Sequence, residues 1–317
     1  MIGSRFHSVA LASIAIAVVP LSVHADEPGA SISTAAPLAS EAPRIAPAPV
    51  PSAPAAAAAN DPCGGAARLL ATLNRPTIGY STCAVPKDSI VLEEGYQTTF
   101  QGGGSPNVTI TFPQGFERVG VADRLELDLI GPNYNRSNTA SGLTTGYSDL
   151  GLGFKYELPQ RGRFTYAFDG LATAATGTGG FSAGGPSQTV NLDIAYSASP
   201  AIGIGTTLAG SSSAGFYTVG SATAKDGRVV QKGQRFGFFL PSIVITAQIP
   251  NYYQFYAEFV GQTKLAPAQG GHVFTDFGLQ KLLGPYLEID AEYGVSFTPL
   301  NGSRFQYAGL GAGIRVK

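Results

Sequence analysis

The feature that most constrains this chain is a period-two alternation of apolar and polar residues, renewed along its whole C-terminal three quarters. The clearest stretch is YLEIDAEYGVSF, residues 286–297. Leu287, Ile289, Ala291, Tyr293, Val295 and Phe297 fall on one face, and Glu288, Asp290, Glu292, Gly294 and Ser296 on the other. A helix would scatter the two sets, whereas a strand separates them. Residues 150–157, 125–129 and 253–259 alternate in the same way. Beyond the N-terminus, no uncharged apolar run reaches the length of a transmembrane helix.

Strands are expected near residues 90–99, 107–120, 124–131, 148–157, 163–174, 188–197, 201–211, 235–248, 253–262, 272–282, 286–297 and 305–316. Most have the roughly ten-residue length of a strand that crosses an outer membrane. Pro113 predicts a bulge or break in the second. The connections alternate in length. Short ones lie near 121–123, 159–162, 198–200, 250–252 and 283–285; longer ones near 102–106, 132–147, 175–186, 212–234, 266–271 and 299–302. Short periplasmic turns and longer outer loops have this signature, which implies an even strand number and both barrel ends on the periplasmic side. The reading is an all-β, closed antiparallel transmembrane β-barrel of about twelve strands. Its apolar face meets outer-membrane lipid and its polar face lines the lumen. A soluble β-sandwich would instead pack the apolar face on a second sheet, with no reason for alternating loop lengths.

The N-terminal quarter differs. Arg5, an apolar stretch over residues 9–19 and the V-H-A tripeptide before Asp26 read as a signal peptide over residues 1–25, an uncleaved anchor helix being the alternative. Residues 26–61 are dominated by Ala, Pro and Ser and are expected to form a disordered linker. Cys63 and Cys83 are the two cysteines, and in an exported chain such a pair predicts a disulfide, two inert thiols being the alternative. It would close residues 62–88, with a short helix over 66–74, into a periplasmic cap or a plug in the pore mouth. The barrel then spans 89–317.

Composition removes several function classes. Charged residues make up 13% and the formal net charge is −1, so no basic surplus exists to attract nucleic acid. With no Trp, the 14 Tyr and 18 Phe must supply the interfacial girdles. After signal removal one histidine remains, His272 in GGHVFTDFG, and no His-x-Ser-Asn arrangement follows it. The glycine-rich GTGGFSAGG lacks the Lys and Ser/Thr of a phosphate loop. No catalytic residue, metal site or cofactor is therefore expected, and the chain is read as a non-enzyme.

The inward face is the informative surface. Glu126, Asp128, Asp149, Glu157, Asp169, Asp193, Glu258, Asp276, Glu288, Asp290 and Glu292 are expected to face the lumen, with Lys155, Arg315 and Arg124 as the clearest bases. Acids must point inward simply to permit insertion, so they hydrate or brace the lumen; alternatively they line a path for cations or polar solutes. Hairpin geometry pairs Arg118 with Glu126 and Glu288 with Arg315, and sets Asp276 opposite Glu292.

LLATLNRPTIGYSTCAVPKDSIVLEEGYQTT, residues 69–99, resembles the start of the phenol-degradation (meta-pathway) outer-membrane transporter family. RVGVADRLELDL and YSDLGLGFKYELP resemble its next hairpin and fourth strand. The resemblance implies an outer-membrane channel or transporter for small, sometimes aromatic, organic solutes. The signal peptide and the barrel pattern add the expectation of a bacterial outer-membrane protein exported through the periplasm and inserted by the outer-membrane assembly machinery. A closed structural or adhesive barrel is the alternative. Barrels of this class commonly end in an aromatic residue, whereas this chain ends GIRVK.

Overall fold

The computed structural model describes residues 62–65, 67–102, 107–140, 142–214, 221–223, 229–231, 234–264, 270–298 and 304–316. The expected signal peptide and linker lie outside the described residues.

Alternation becomes a closed wall. The strands are β1 (Ile90–Gln101), β2 (Asn107–Phe112), β3 (Phe116–Ala122), β4 (Leu125–Ile130), β5 (Tyr134–Thr139), β6 (Gly142–Tyr147), β7 (Leu150–Arg161), β8 (Phe164–Ala174) and β9 (Ser187–Ser197). They continue with β10 (Ile202–Ala214), β11 (Ser221–Thr223), β12 (Val229–Gln231), β13 (Arg235–Ile249), β14 (Tyr253–Gln262), β15 (His272–Leu282), β16 (Leu287–Ser296) and β17 (Phe305–Arg315). The first strand pairs with the last, Val91 with Arg315 through Gln101 with Phe305, which closes the sheet. β1 pairs with β3 below and with β2 above, so β2 and β3 are two halves of one stave interrupted at residues 113–115. β4 with β5, and β6 with β7, form two more interrupted staves. The barrel therefore has twelve antiparallel staves. β11 and β12 form a separate small hairpin in the connection between β10 and β13.

Three breaks lie side by side. Pro113 cannot donate to the ladder, and the neighbouring staves break at residues 131–133 and 148–149. Side chains bridge the gap: Asn133 accepts from the Gly115 amide at 3.1 Å, and Ser148 from the Asn133 amide at 2.8 Å. Residues 132–147, expected as one long loop, are mostly strand. Their Asn, Ser and Thr carry no apolar face above the lipid, so the alternation that marks strands elsewhere is missing there.

The short turns gather at one end and use left-handed backbone at Arg124, Gly162, Asn251, Tyr252 and Gly284. Outside, Leu127, Leu152, Ile243, Phe259, Ile289 and Leu310 are exposed, while Glu93, Arg118, Glu126, Lys155 and Glu258 inside are 0% exposed. Apolar outside and charged inside is the inverse of a soluble protein, and places the wall in an outer membrane. No described helix is long and apolar enough to cross a membrane; the chain crosses with strands.

Residues 62–89 form an inner segment. Its helix α1 (Arg68–Thr72) is shorter than the expected 66–74. Ala67 provides no side-chain cap, Leu73 is already extended, and Pro76 disfavours helix at Arg75. Leu69, Leu70, Leu73 and Val85 pack with Val91 and Leu282 of the wall. The Cys63–Cys83 disulfide is present, with a Cα–Cα distance of 5.4 Å.

Candidate functional site: the lumen and its inner segment

Inward-pointing residues are the odd positions of β1, β7, β8, β9, β10 and β17 and the even positions of β3, β4, β13, β14, β15 and β16. Ten of them are buried acids among the described residues: Glu93, Glu126, Asp128, Asp169, Asp193, Glu258, Asp276, Glu288, Asp290 and Glu292. The wall sets Arg118 and Lys155 against them, fully buried as well. Such an imbalance is tolerable only where other donors reach the carboxylates.

The inner segment supplies those donors, largely from its backbone. Glu93 accepts from the amides of Asn74 at 3.0 Å and Arg75 at 2.7 Å. Glu258 accepts from Ile78 and Gly79, each at 2.7 Å. Glu157 accepts from Ala84 at 3.0 Å, and Glu126 from Val85. Amide-to-carboxylate bonds are charge-assisted and stronger than neutral ones, so the acids act as anchor points for this segment. Arg75 adds a cation: it binds Asp290 through Nη2 at 3.1 Å and Nε at 3.3 Å, and lies 4.0 Å from Glu292. Gly95 and Gly311 on the adjoining staves make room for it, since a Cβ at either would strike the guanidinium.

Arg118 of β3, the stave beside β1, is a second hub. It donates to Glu126 at 2.6 Å and 2.9 Å, to Glu93 at 2.7 Å and to the Thr72 carbonyl at 2.5 Å. Asp128 lies 3.9 Å away. Lys155 donates to Asn74 at 2.9 Å and to the Ser81 carbonyl at 2.7 Å, with its ammonium over the Tyr80 ring.

Other sequence-derived residues fall elsewhere. Asp169 accepts from Asn191 at 2.6 Å, and Asp193 from Thr207 at 2.6 Å. Asp149 sits in the break between β6 and β7. It holds the following outer loop by accepting from the Gly177 and Ala183 amides, each at 2.8 Å. Arg124 occupies the β3–β4 turn. Glu288 does not meet Arg315: it accepts from the Gly313 amide at 3.1 Å, and Arg315 lies over the Tyr286 ring at the rim. Asp276 stands opposite Gly294 on one side and Glu258 on the other, and Glu292 stands opposite Gly278. The Arg118–Glu126 pair is where hairpin geometry put it.

Glu93, Arg75, Asn74, Tyr256 and Tyr307 were not singled out from sequence. Glu93 alternates inward with Val91 and Gly95, a signal that was there to use. The Tyr307 hydroxyl crosses Gly294 to donate to Asp276, and the Tyr256 ring lies over Gly278. Near the outer mouth His272 stacks on Phe274, with Phe305 edge-on, and Val260 and Leu240 close the cluster. Among the described residues no group of His, Cys, Asp and Glu has the makings of a metal site.

The inner segment does not fill the bore. Between it and the wall formed by β8, β9, β10, β13, β14 and β15 lies a cavity of about 580 Å³ at the end of the barrel with the short turns. Leu70, Thr77 and Tyr80 line one side, and Thr207, Val244 and Gln254 the other.

No family model and no curated protein matches the chain. Solved structures do. The COG4313 outer membrane channel from Pseudomonas putida F1 aligns with a TM-score of 0.56 at 13% identity, over 73% of this chain and 97% of its own. The NanC porin aligns at 0.47 and 12% identity, over 71% and 98%. The translocator domain of the autotransporter NalP from Neisseria meningitidis aligns at 0.44 and 8%, over 72% and 88%. At these identities the likeness is one of fold, that of a bacterial outer-membrane barrel.

Proposed function

We propose that the chain is a passive outer-membrane channel for small organic molecules and acts without catalysis, with residues 62–88 as a plug that narrows its periplasmic half. The observation that carries this reading is the cavity of about 580 Å³ left beside the inner segment. A segment that only braced the wall would be expected to close the bore to the packing density of a protein interior. The fold likeness to a protein described as an outer membrane channel supports it. So does the resemblance of residues 69–99 to a family of outer-membrane transporters of small, sometimes aromatic, solutes.

Complete burial of Glu93, Arg118 and Glu126 favours a second reading, a closed structural or adhesive barrel. Planar-bilayer recordings separate the two. The channel reading expects discrete conductance steps from the purified full chain, enlarged when residues 62–88 are deleted. Silence from both proteins, each shown to be folded, would reject it.

A further inference from the structure

We infer that the cavity beside the inner segment is a binding chamber for neutral, hydrogen-bonding organic molecules and forms the periplasmic leg of the route through the barrel; the route rests on the channel reading above. Its lining differs in kind from the rest of the lumen. Carboxylates crowd the inward face elsewhere, yet no Asp or Glu lines this cavity. Apart from the guanidiniums of Arg75 and Arg163, its hydrogen-bonding side chains are neutral, among them Thr165, Thr207, Thr246, Gln248, Gln254 and Gln280. Thr165 already bonds Thr82, Thr207 donates to Asp193, Thr246 to the Gly203 carbonyl, Gln254 to Gln280 and Gln280 to the Arg75 carbonyl. Side-chain amides and hydroxyls both donate and accept, so the capacity these bonds leave over suits alcohol, phenol or amide groups without selecting a charge. Leu70, Tyr80 and Val244 add an apolar surface for the body of such a molecule.

Charged solutes find less here. The nearby Glu258 carboxylate is turned to the amides of Ile78 and Gly79, so a cation would shed water with no carboxylate in the lining to receive it. Arg75 is already held by Asp290. Arg163, at the rim, donates to the Ala198 carbonyl. An anion drawn to Arg163 would still face the acidic layer of Asp128, Asp169 and Asp193 farther along the bore.

The space is set by small inward residues of β9 and β10, namely Ala195, Ser197, Gly203 and Gly205. A Cβ placed on Gly205 would meet only Val244, at 3.9 Å, so a side chain there would grow into the cavity. The volume falls within the roughly 300–1,000 Å³ range of small-molecule sites.

The chain contains no Trp, so one introduced indole is a unique reporter. The experiment compares Gly205→Trp with Ile204→Trp, whose neighbouring side chain points outward, 41% exposed, toward lipid. Full-length protein is placed in liposomes, and the probe is arbutin, a neutral phenolic glucoside. Gly205→Trp should lower arbutin flux by about tenfold or more relative to wild type and Ile204→Trp, because an indole occupies on the order of 200 Å² of contact surface there. Arbutin should perturb the emission of the indole at 205 saturably and leave that at 204 unchanged. Heat-modifiable migration in gels checks folding, and Gly205→Leu repeats the flux test if the larger side chain prevents it. Equal flux through both folded variants, with no saturable emission change, would overturn the inference. If wild type passes neither arbutin nor current, the channel reading falls by itself. The fluorescence titration then still decides the chamber, a saturable change supporting it and none rejecting it.

Discussion

Replacing Arg118 with Met should loosen the inner segment while leaving the barrel closed. The guanidinium is 0% exposed and joins the wall carboxylates Glu93 and Glu126 to two carbonyls of the segment, Thr72 and Cys83. Met fills much of the same volume, so packing is nearly conserved and the charge is the variable. Removing one partner from a buried ion pair costs about 3–5 kcal/mol, because the remaining charge stays buried. Here both carboxylates keep bonds to segment amides, Glu93 to Asn74 and Arg75 and Glu126 to Val85, so the lower end, about 3 kcal/mol, is expected. That strain is relieved by lifting the segment and letting water reach the acids. The staves, hydrogen-bonded to one another around the ring, need not open. If opening and closing are fast relative to cleavage, trypsin cleavage after Arg68 and Lys87 should rise on the order of a hundredfold, since about 1.4 kcal/mol is one decade. Barrel migration in unheated gels should not change. Adding Glu126→Gln should recover part of the loss, which a double-mutant cycle reads as coupling. Cleavage at the wild-type rate in a folded Arg118→Met protein would refute the claim that this ion network docks the segment.

Three further outcomes are expected. Non-reducing alkylation of the exported protein should find Cys63 and Cys83 blocked; replacing both with Ala should destabilise the segment by about 3 kcal/mol in the chain-entropy model and raise its proteolysis without altering the barrel. Gly294→Ala should destabilise the wall by about 1–3 kcal/mol, because its Cβ would strike the Tyr307 ring. Adding Tyr307→Ala should lift most of that loss in urea unfolding, and no recovery would mean the contact is not the cause. Ile243→Arg, on the lipid face, should cost up to about 2–4 kcal/mol depending on its depth, whereas an unchanged unfolding free energy would remove that position from the bilayer.

The staves, their number and which residues face lipid were legible in the amino-acid order, because a pleated strand separates its faces with period two whatever it packs on. That rule also explains the form of the register errors. Asp276 was expected opposite Glu292 and stands opposite Gly294; Glu288 was expected beside Arg315 and stands opposite Gly313. Both are shifts of two residues. An even shift preserves every inward and outward assignment while changing every partner. Turn length decides the first: the β15–β16 connection runs over residues 283–286, closed by the Leu283 amide on the Leu287 carbonyl, rather than over 283–285, and no face pattern records that.

Sequence could offer bracing as one use of the acids and could pair Glu126 with Arg118, but not show that their main partners are backbone amides of the inner segment. Read from the wall alone they are a surplus of negative charge in a pore. Folded, Glu258 grips the amides of Ile78 and Gly79, which lie 180 and 179 residues away in the chain. A backbone amide has no residue-type signature, so nothing in the letters marks residues 74–85 as the donors. Tertiary structure alone brings that segment to the inner wall, and in doing so it turns most of those carboxylates toward internal partners. It also leaves a cavity with no carboxylate in its lining where the inward positions of β9 and β10 are small.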